Sequence, residues 1–286
     1  TGIVLINLSK GQSSWQTHYN LTLTLCELAS ETAYLNGDFQ QMEQWAEIVL
    51  QQAKTAVDKM KVYAVKIQAD MAQIKQLEAV KIGLQALKIV GISLPESPDF
   101  SDIQQALTQT TTNLDGKNIE DLINLPLMAD PDQLAATKML VSIGPATYQA
   151  APVMFPLVIC KLVNLSIEYG NSPFSSYGYA CYGAILNAVF QNMDLAYKFG
   201  QLALSLAEQF NIPDLKASTL LTVGGSTIHG KSHVIETLSI LWDSYQNGLE
   251  SGNFEFSGYA AVVKSMHSYF MGQELTVLER DMATMS

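Results

Sequence analysis

The chain has 286 residues with 27 acidic against 16 basic side chains, a net charge of −11 and a pI near 4.7. It therefore lacks the basic face that a nucleic acid or an anionic membrane requires. Hydrophobic residues at 48% and charged ones at 15% exclude a disordered tail and allow a sizeable core in one or two domains. Three cysteines, Cys26, Cys160 and Cys181, stand far apart without CxxC spacing, which reads as buried thiols in a reducing cytoplasm.

No basic-then-apolar leader precedes the first elements. Gly2, Leu5 and Ile6 begin in mid-pattern, so residues 1–8 read as the tail of a cut helix and the chain as a piece of a longer protein. Ser13 or Ser14 caps the next helix, with an apolar stripe of Leu21, Leu25, Leu28, Ala29 and Leu35. Tyr34-Leu35-Asn36-Gly37-Asp38-Phe39 then reads as helix, tight turn, helix, Gly37 ending one helix and Asp38 capping the next. Met42, Trp45, Ala46, Val49, Leu50 and Ala53 follow on one face.

This phase returns. Lys75 leads Ala79, Ile82, Gly83, Ala86 and Leu87, and Asn192 leads Ala196, Phe199, Gly200, Ala203 and Leu204. The starts at 38, 75 and 192 are 37 and 117 residues apart, the second being three steps of 39. Such a period, built from two helices, is the signature of a helical-repeat array. Seven helix pairs are predicted, at about 14–53, 57–90, 101–125, 131–169, 174–210, 214–250 and 254–286, within a single domain over 1–286. Pro95 and Pro98 stop the second pair, Pro126 ends the third, and Pro131 and Pro213 open later ones. No charge occurs between Lys138 and Lys161. Pro145, Pro152 and Pro156 interrupt that stretch, which reads as two buried helices and not a membrane span. No stretch alternates as a sheet strand would. The fold class expected is all-α, a right-handed superhelix of stacked helix pairs of the tetratricopeptide kind.

One motif competes with this reading. Gly225-Ser226-Thr227-Ile228-His229-Gly230-Lys231-Ser232 matches GxxxxGK[ST], in which backbone amides cradle phosphates. Gly225, Gly230, Lys231 and Ser232 would then bind nucleotide, Lys231 reaching the β/γ-phosphates and Ser232 a magnesium ion. Only 54 residues follow it, too few for the parallel sheet, and Lys231 lies 39 residues after Asn192. Gly230-Lys231 is accordingly read as another inter-helix turn. His229 and His233 are four apart, as two ligands on a helix face would be, but no third stands nearby in sequence. His18 and His267 stand alone. Glu120-Asp121 and Glu279-Asp281 read as solvated helix faces, and no nucleophile motif occurs. No catalytic residue, metal site or cofactor is expected. Tyr177, Tyr179 and Tyr182, among the small residues Gly178, Ala180 and Gly183, would line a ligand groove on the concave face or pack as core.

From Trp15 onward the chain resembles the helical-repeat region of very large cyanobacterial signalling proteins. The similar strings are residues 33–39, 118–123, 162–173, 197–204 and 267–272. That family joins a serine/threonine kinase domain, an AAA-type ATPase, such a repeat region, a GAF domain and a sensor histidine kinase. None of the strings is a catalytic motif of those enzymes. The resemblance implies a repeat domain placed after the ATPase, and family members generally lack a phosphate loop at 225–232. The expectation is a cytoplasmic, non-enzymatic sensing and interaction module of a two-component signalling kinase. Its partners would be other domains of the same protein, a peptide or protein effector, or a small molecule. Two alternatives are a nucleotide-binding domain using Lys231 and a scaffold whose role is oligomerisation.

Overall fold

A computed structural model describes residues 13–285; the cut helix expected over residues 1–8 lies outside the described residues. Among them the chain forms fourteen α-helices and one 3-10 helix. In order these are α1 (Ser13–Thr17), α2 (Tyr19–Leu35), α3 (Phe39–Gln52), α4 (Ala56–Ala72), α5 (Gln76–Ile89) and α6 (Phe100–Leu114). The 3-10 turn Ile119–Asn124 follows, then α7 (Pro131–Ala150), α8 (Met154–Tyr169), α9 (Ser175–Phe190) and α10 (Met193–Phe210). The last four are α11 (Pro213–Ser226), α12 (Glu236–Ser251), α13 (Phe254–Phe270) and α14 (Leu275–Thr284). The fold is all-α, with helices packed against their sequence neighbours in pairs, consistent with a helical-repeat superhelix. Among the described residues no helix is long and apolar enough to cross a membrane. The charge-free stretch lies in α7 and α8, where Met139, Leu140, Ile143, Val158, Ile159 and Leu162 are buried.

A two-residue turn conformation recurs between consecutive helices. Gly37 takes φ +73, and Asp38 at φ −88, ψ 74 caps α3 by accepting the Gln41 N–H. Ile74-Lys75, Gln191-Asn192 and Gly252-Asn253 repeat it, with φ of +60, +51 and +75 followed by ψ of 52, 75 and 70. Asn192 and Asn253 accept the Leu195 and Phe256 N–H groups as Asp38 accepts that of Gln41. Lys231 does not hold this position, contrary to the phase argument. It stands in the connection 227–235, five residues ahead of α12. The period itself is written into tertiary hydrogen bonds between residues 39 apart. Tyr19 Oη donates to Asp58 Oδ2 (2.5 Å), Asn187 Nδ2 to Ser226 O (2.8 Å) and Asn253 Nδ2 to Asp214 Oδ1 (2.6 Å).

The described chain divides into two compact units, one comprising residues up to 103 with 130–158, the other 104–129 with 159 onward. In the first, Cys26, Ala33, Met42, Ala46, Val49, Val62, Val65 and Ala69 form a core flanked by Trp15, Phe39 and Trp45. The stripe predicted for α2 is rotated: Leu21, Leu28 and Leu35 are 61%, 46% and 74% exposed, while Thr22, Cys26, Ser30 and Ala33 face inward. Small side chains let α2 approach α3, close enough for Ser30 Oγ to donate to Met42 O at 3.2 Å. In the same unit α5 rests on α7, where a methyl on Gly83 would sit 2.0 Å from Ile143 Cγ2.

In the second unit α9 packs on α10 and α11 through small residues of its own. Gly178 lies against Leu162, and Gly183 against Phe199 and Thr227. The third helix pair is completed by the 3-10 turn and not an α-helix, and Asn171 clamps it. The Asn171 side chain donates to Leu122 O (2.7 Å), and its backbone pairs with Pro126 and Met128 across an isolated parallel bridge at Leu127.

Candidate functional site

The phosphate-loop match has none of the local structure its chemistry needs. Leu220-Leu221-Thr222-Val223, where a phosphate loop has its strand, is part of α11, and Gly225 and Ser226 are that helix's last residues. Four of the backbone amides that would cradle phosphate are already donated: those of Thr227 and Ile228 to Val223 O, those of Lys231 and Ser232 to Ile228 O. No helix N-terminus faces the segment from behind Ser232, since α12 begins at Glu236. The Lys231 ammonium pairs with the Asp194 carboxylate at the start of α10, which holds Asp194 below the usual carboxylate range by hydrogen bond and charge. With Phe190, Gln191, Asn192, Met193 and Gly230 this pair lines a shallow, open depression.

Tyr177, Tyr179 and Tyr182 do not open onto a groove. All three are buried, at 5%, 0% and 2% exposure. Tyr179 stacks on Phe199 (centroids 5.9 Å) and Tyr182 meets the same ring edge-on (5.1 Å). Burial pushes the Tyr182 phenol up to about 12 and Tyr177 well above its ordinary value. Their place in the core follows from α9, which is apolar on every face and packed against two helices. Around them lies a buried hydroxyl network: Ser166 Oγ to Ser175 Oγ (2.7 Å), Thr219 Oγ1 to Ser176 Oγ (3.2 Å) and Tyr179 Oη to Asn171 Oδ1 (3.4 Å). The thiols of Cys26 and Cys160 are raised to about 11 and that of Cys181 to about 12, in each case by burial first, so they stay protonated and inert. Glu120 is paired with Lys198 at 3.2 Å on the surface, and Asp281 accepts from Gln273.

The histidines are arranged otherwise than their spacing suggested. His233 Nδ1 accepts the Ile235 N–H inside its own connection. His229 meets His267 of α13 instead, ring centroids 5.9 Å apart at 68°. His267 is half-buried, and its Nδ1 lies 2.7 Å from Thr237 Oγ1 at the start of α12. Burial and then the neighbouring His229 hold His267 below the usual imidazole range. No motif announces this pair; its only trace in the sequence is a spacing of 38, one repeat step. Among the described residues no group of three or more His, Cys, Asp or Glu side chains is placed to hold a metal ion.

An outward apolar face is the remaining feature. α13 buries Ser257, Ala260 and Ser268 and turns Val262, Met266, Tyr269 and Phe270 to solvent. Val262, Met266 and Tyr269 recur at i, i+4 and i+7 and so form one stripe.

No family model matches the chain, and no solved structure matches it. The hybrid signal transduction histidine kinase G of Dictyostelium discoideum is 22% identical over 299 aligned residues. That alignment covers 95% of this chain and 9% of the relative, so the chain spans about a tenth of the protein it matches. The chain is thus a helical module distantly related to a region of a signalling histidine kinase.

Proposed function

We propose that the protein is a non-enzymatic sensing and interaction module of a signal-transduction kinase. It holds a neighbouring domain, a peptide or a small effector on its helical-repeat surface. The observation that carries this reading is the stripe on α13. In a repeat array each helix pair buries its apolar face against the next, and α13 leaves one such face outward. Covering the exposed halves of Val262, Met266 and Tyr269 would contribute about 1 kcal/mol each, enough for a regulated contact. An amphipathic helix of a partner domain fits a stripe of this period. Binding would act by favouring one arrangement of the neighbouring domains, which requires different affinity for two states. The relation to a segment of a signalling histidine kinase supports this setting, and the internally bonded amides of Thr227, Ile228, Lys231 and Ser232 speak against a nucleotide site.

The test compares wild type with the double variant Val262→Asp, Met266→Asp in the signalling polypeptide that carries the chain. Autophosphorylation rate and its response to effector are read together with the affinity of the isolated chain for the polypeptide's catalytic domains. Loss of affinity and of response, with circular dichroism unchanged, is the expected result. Unaltered regulation would sink the proposal, and sedimentation that shifts with concentration in wild type alone would favour a self-association scaffold. Calorimetric titration with MgATP, wild type beside Lys231→Ala, is expected to give no heat in either protein.

A further inference from the structure

We propose that His229 and His267 form a binding site for a borderline divalent transition-metal cation such as Zn2+. Thr237 Oγ1 lies 2.6 Å from Val234 O, and a carbonyl can only accept, so the hydroxyl's one proton is committed there. The 2.7 Å contact to His267 must then be donated by Nδ1–H, which fixes the tautomer and leaves Nε2 as the ring's lone pair. A histidine whose second nitrogen is held by an anchored oxygen is how proteins orient metal-ligating imidazoles.

Geometry agrees with this chemistry. A Zn–N bond of about 2.1 Å places a ring centre about 3.2 Å from the ion, so two rings on a tetrahedral ion have centres about 5 Å apart. The rings of His229 and His267 stand 5.9 Å apart, within about 1 Å of that separation, and the exposed His229 ring has room to turn and close the difference. His229 is exposed, so water can complete the coordination. His233 is not a ligand, because its Nδ1 already accepts the Ile235 amide. The buried thiols of Cys26, Cys160 and Cys181 offer no competing site. A bound cation would tie the 227–235 connection to α13, the helix whose outward stripe the proposed function uses. The site does not depend on that function.

Calorimetric titration of the whole chain with zinc chloride at pH 7.5 tests it, in wild type and in His229→Ala, His267→Ala, His233→Ala and Thr237→Val. One saturable site in wild type is expected, retained in His233→Ala and weakened at least tenfold in His229→Ala and His267→Ala. Thr237→Val, which removes no ligand, should weaken binding several-fold, and the His267 ring nitrogens should shift in NMR spectra of the wild type as zinc is added. Circular dichroism of His229→Ala, altered at an exposed residue, separates lost binding from lost fold. The proposal is overturned if wild type gives no saturable heat, if His229→Ala leaves the curve unchanged, or if His233→Ala abolishes it.

Discussion

Replacing Gly170 by alanine should be among the most damaging single-methyl changes in the second unit. Gly170 follows α8 at φ +101, a conformation whose cost to an L residue is about 1–2 kcal/mol. The added methyl would also sit 2.1 Å from Pro126 O and 2.9 Å from Pro126 C. Both are backbone atoms, so no side chain can swing away and the segment at Pro126 must move. That movement breaks the bonds it makes with the next residue: Asn171 N–H to Pro126 O and Asn171 O to Met128 N–H, each 2.8 Å. At about 1 kcal/mol apiece they bring the expected loss to about 3–4 kcal/mol, a large part of a domain's stability. Urea denaturation followed by far-ultraviolet circular dichroism measures it. The control is Gly252→Ala in the same unit, at φ +75 with nothing within 4 Å of the new methyl, where only the backbone cost of about 1–2 kcal/mol applies. Should the two variants lose stability equally, the clash argument fails and the Asn171 clamp is not what holds the 3-10 turn.

Three further outcomes follow from the first unit. Ile74 is a β-branched residue at φ +60 and 79% exposed, where its paired turn has Gly37; Ile74→Gly should stabilise by about 1 kcal/mol in thermal unfolding. Tyr19→Phe should cost about 1 kcal/mol, because its hydroxyl donates to Asp58 and accepts the Lys54 N–H at 2.7 Å in a partly exposed place. Burial alone would raise Asp58, but hydrogen bonds from Tyr19, Thr55 and Lys54 outweigh it and hold its carboxyl below the ordinary range. The Tyr19 contribution should therefore be present above pH 4 and fade as pH falls through the folded-state value. Glu27 is shifted the other way, chiefly by burial. Its protonated form suits the folded state, so Glu27→Gln should stabilise at pH 7 and make no difference below pH 4.5, as acid titration of the melting temperature will read.

How much of this was legible depended on whether a contact is local or periodic. The faces of α3, α5 and α10 were legible: Met42, Ala46 and Val49, then Ala79, Gly83 and Ala86, then Ala196, Phe199 and Ala203 lie inward, and each helix has only one apolar side to offer. The face of α2 was not, because leucines surround it and close approach to α3 selects the small residues Thr22, Cys26, Ser30 and Ala33 instead. Hydrophobicity marks what can be buried, while helix spacing decides what is. The tyrosines of α9 carried the same ambiguity, since an aromatic among glycines suits a groove and a core alike until the neighbouring Phe199 is placed.

The period reaches further than the stripe. In an array with a step of 38 or 39, a residue at i is brought near i+39, so the period is already a coarse contact map. Tyr19 with Asp58, Asn187 with Ser226, Asp214 with Asn253 and, one residue short, His229 with His267 all fall on that line. The histidine pair is therefore within reach of the sequence, because the step relates single residues as well as helix starts. Gly170 was not within reach: Pro126 lies 44 residues back, beside a 3-10 turn that replaces a repeat helix, and no period passes through an irregular pair. Function in such arrays is to be sought where side chains one step apart bring together chemistry that neither local stretch contains.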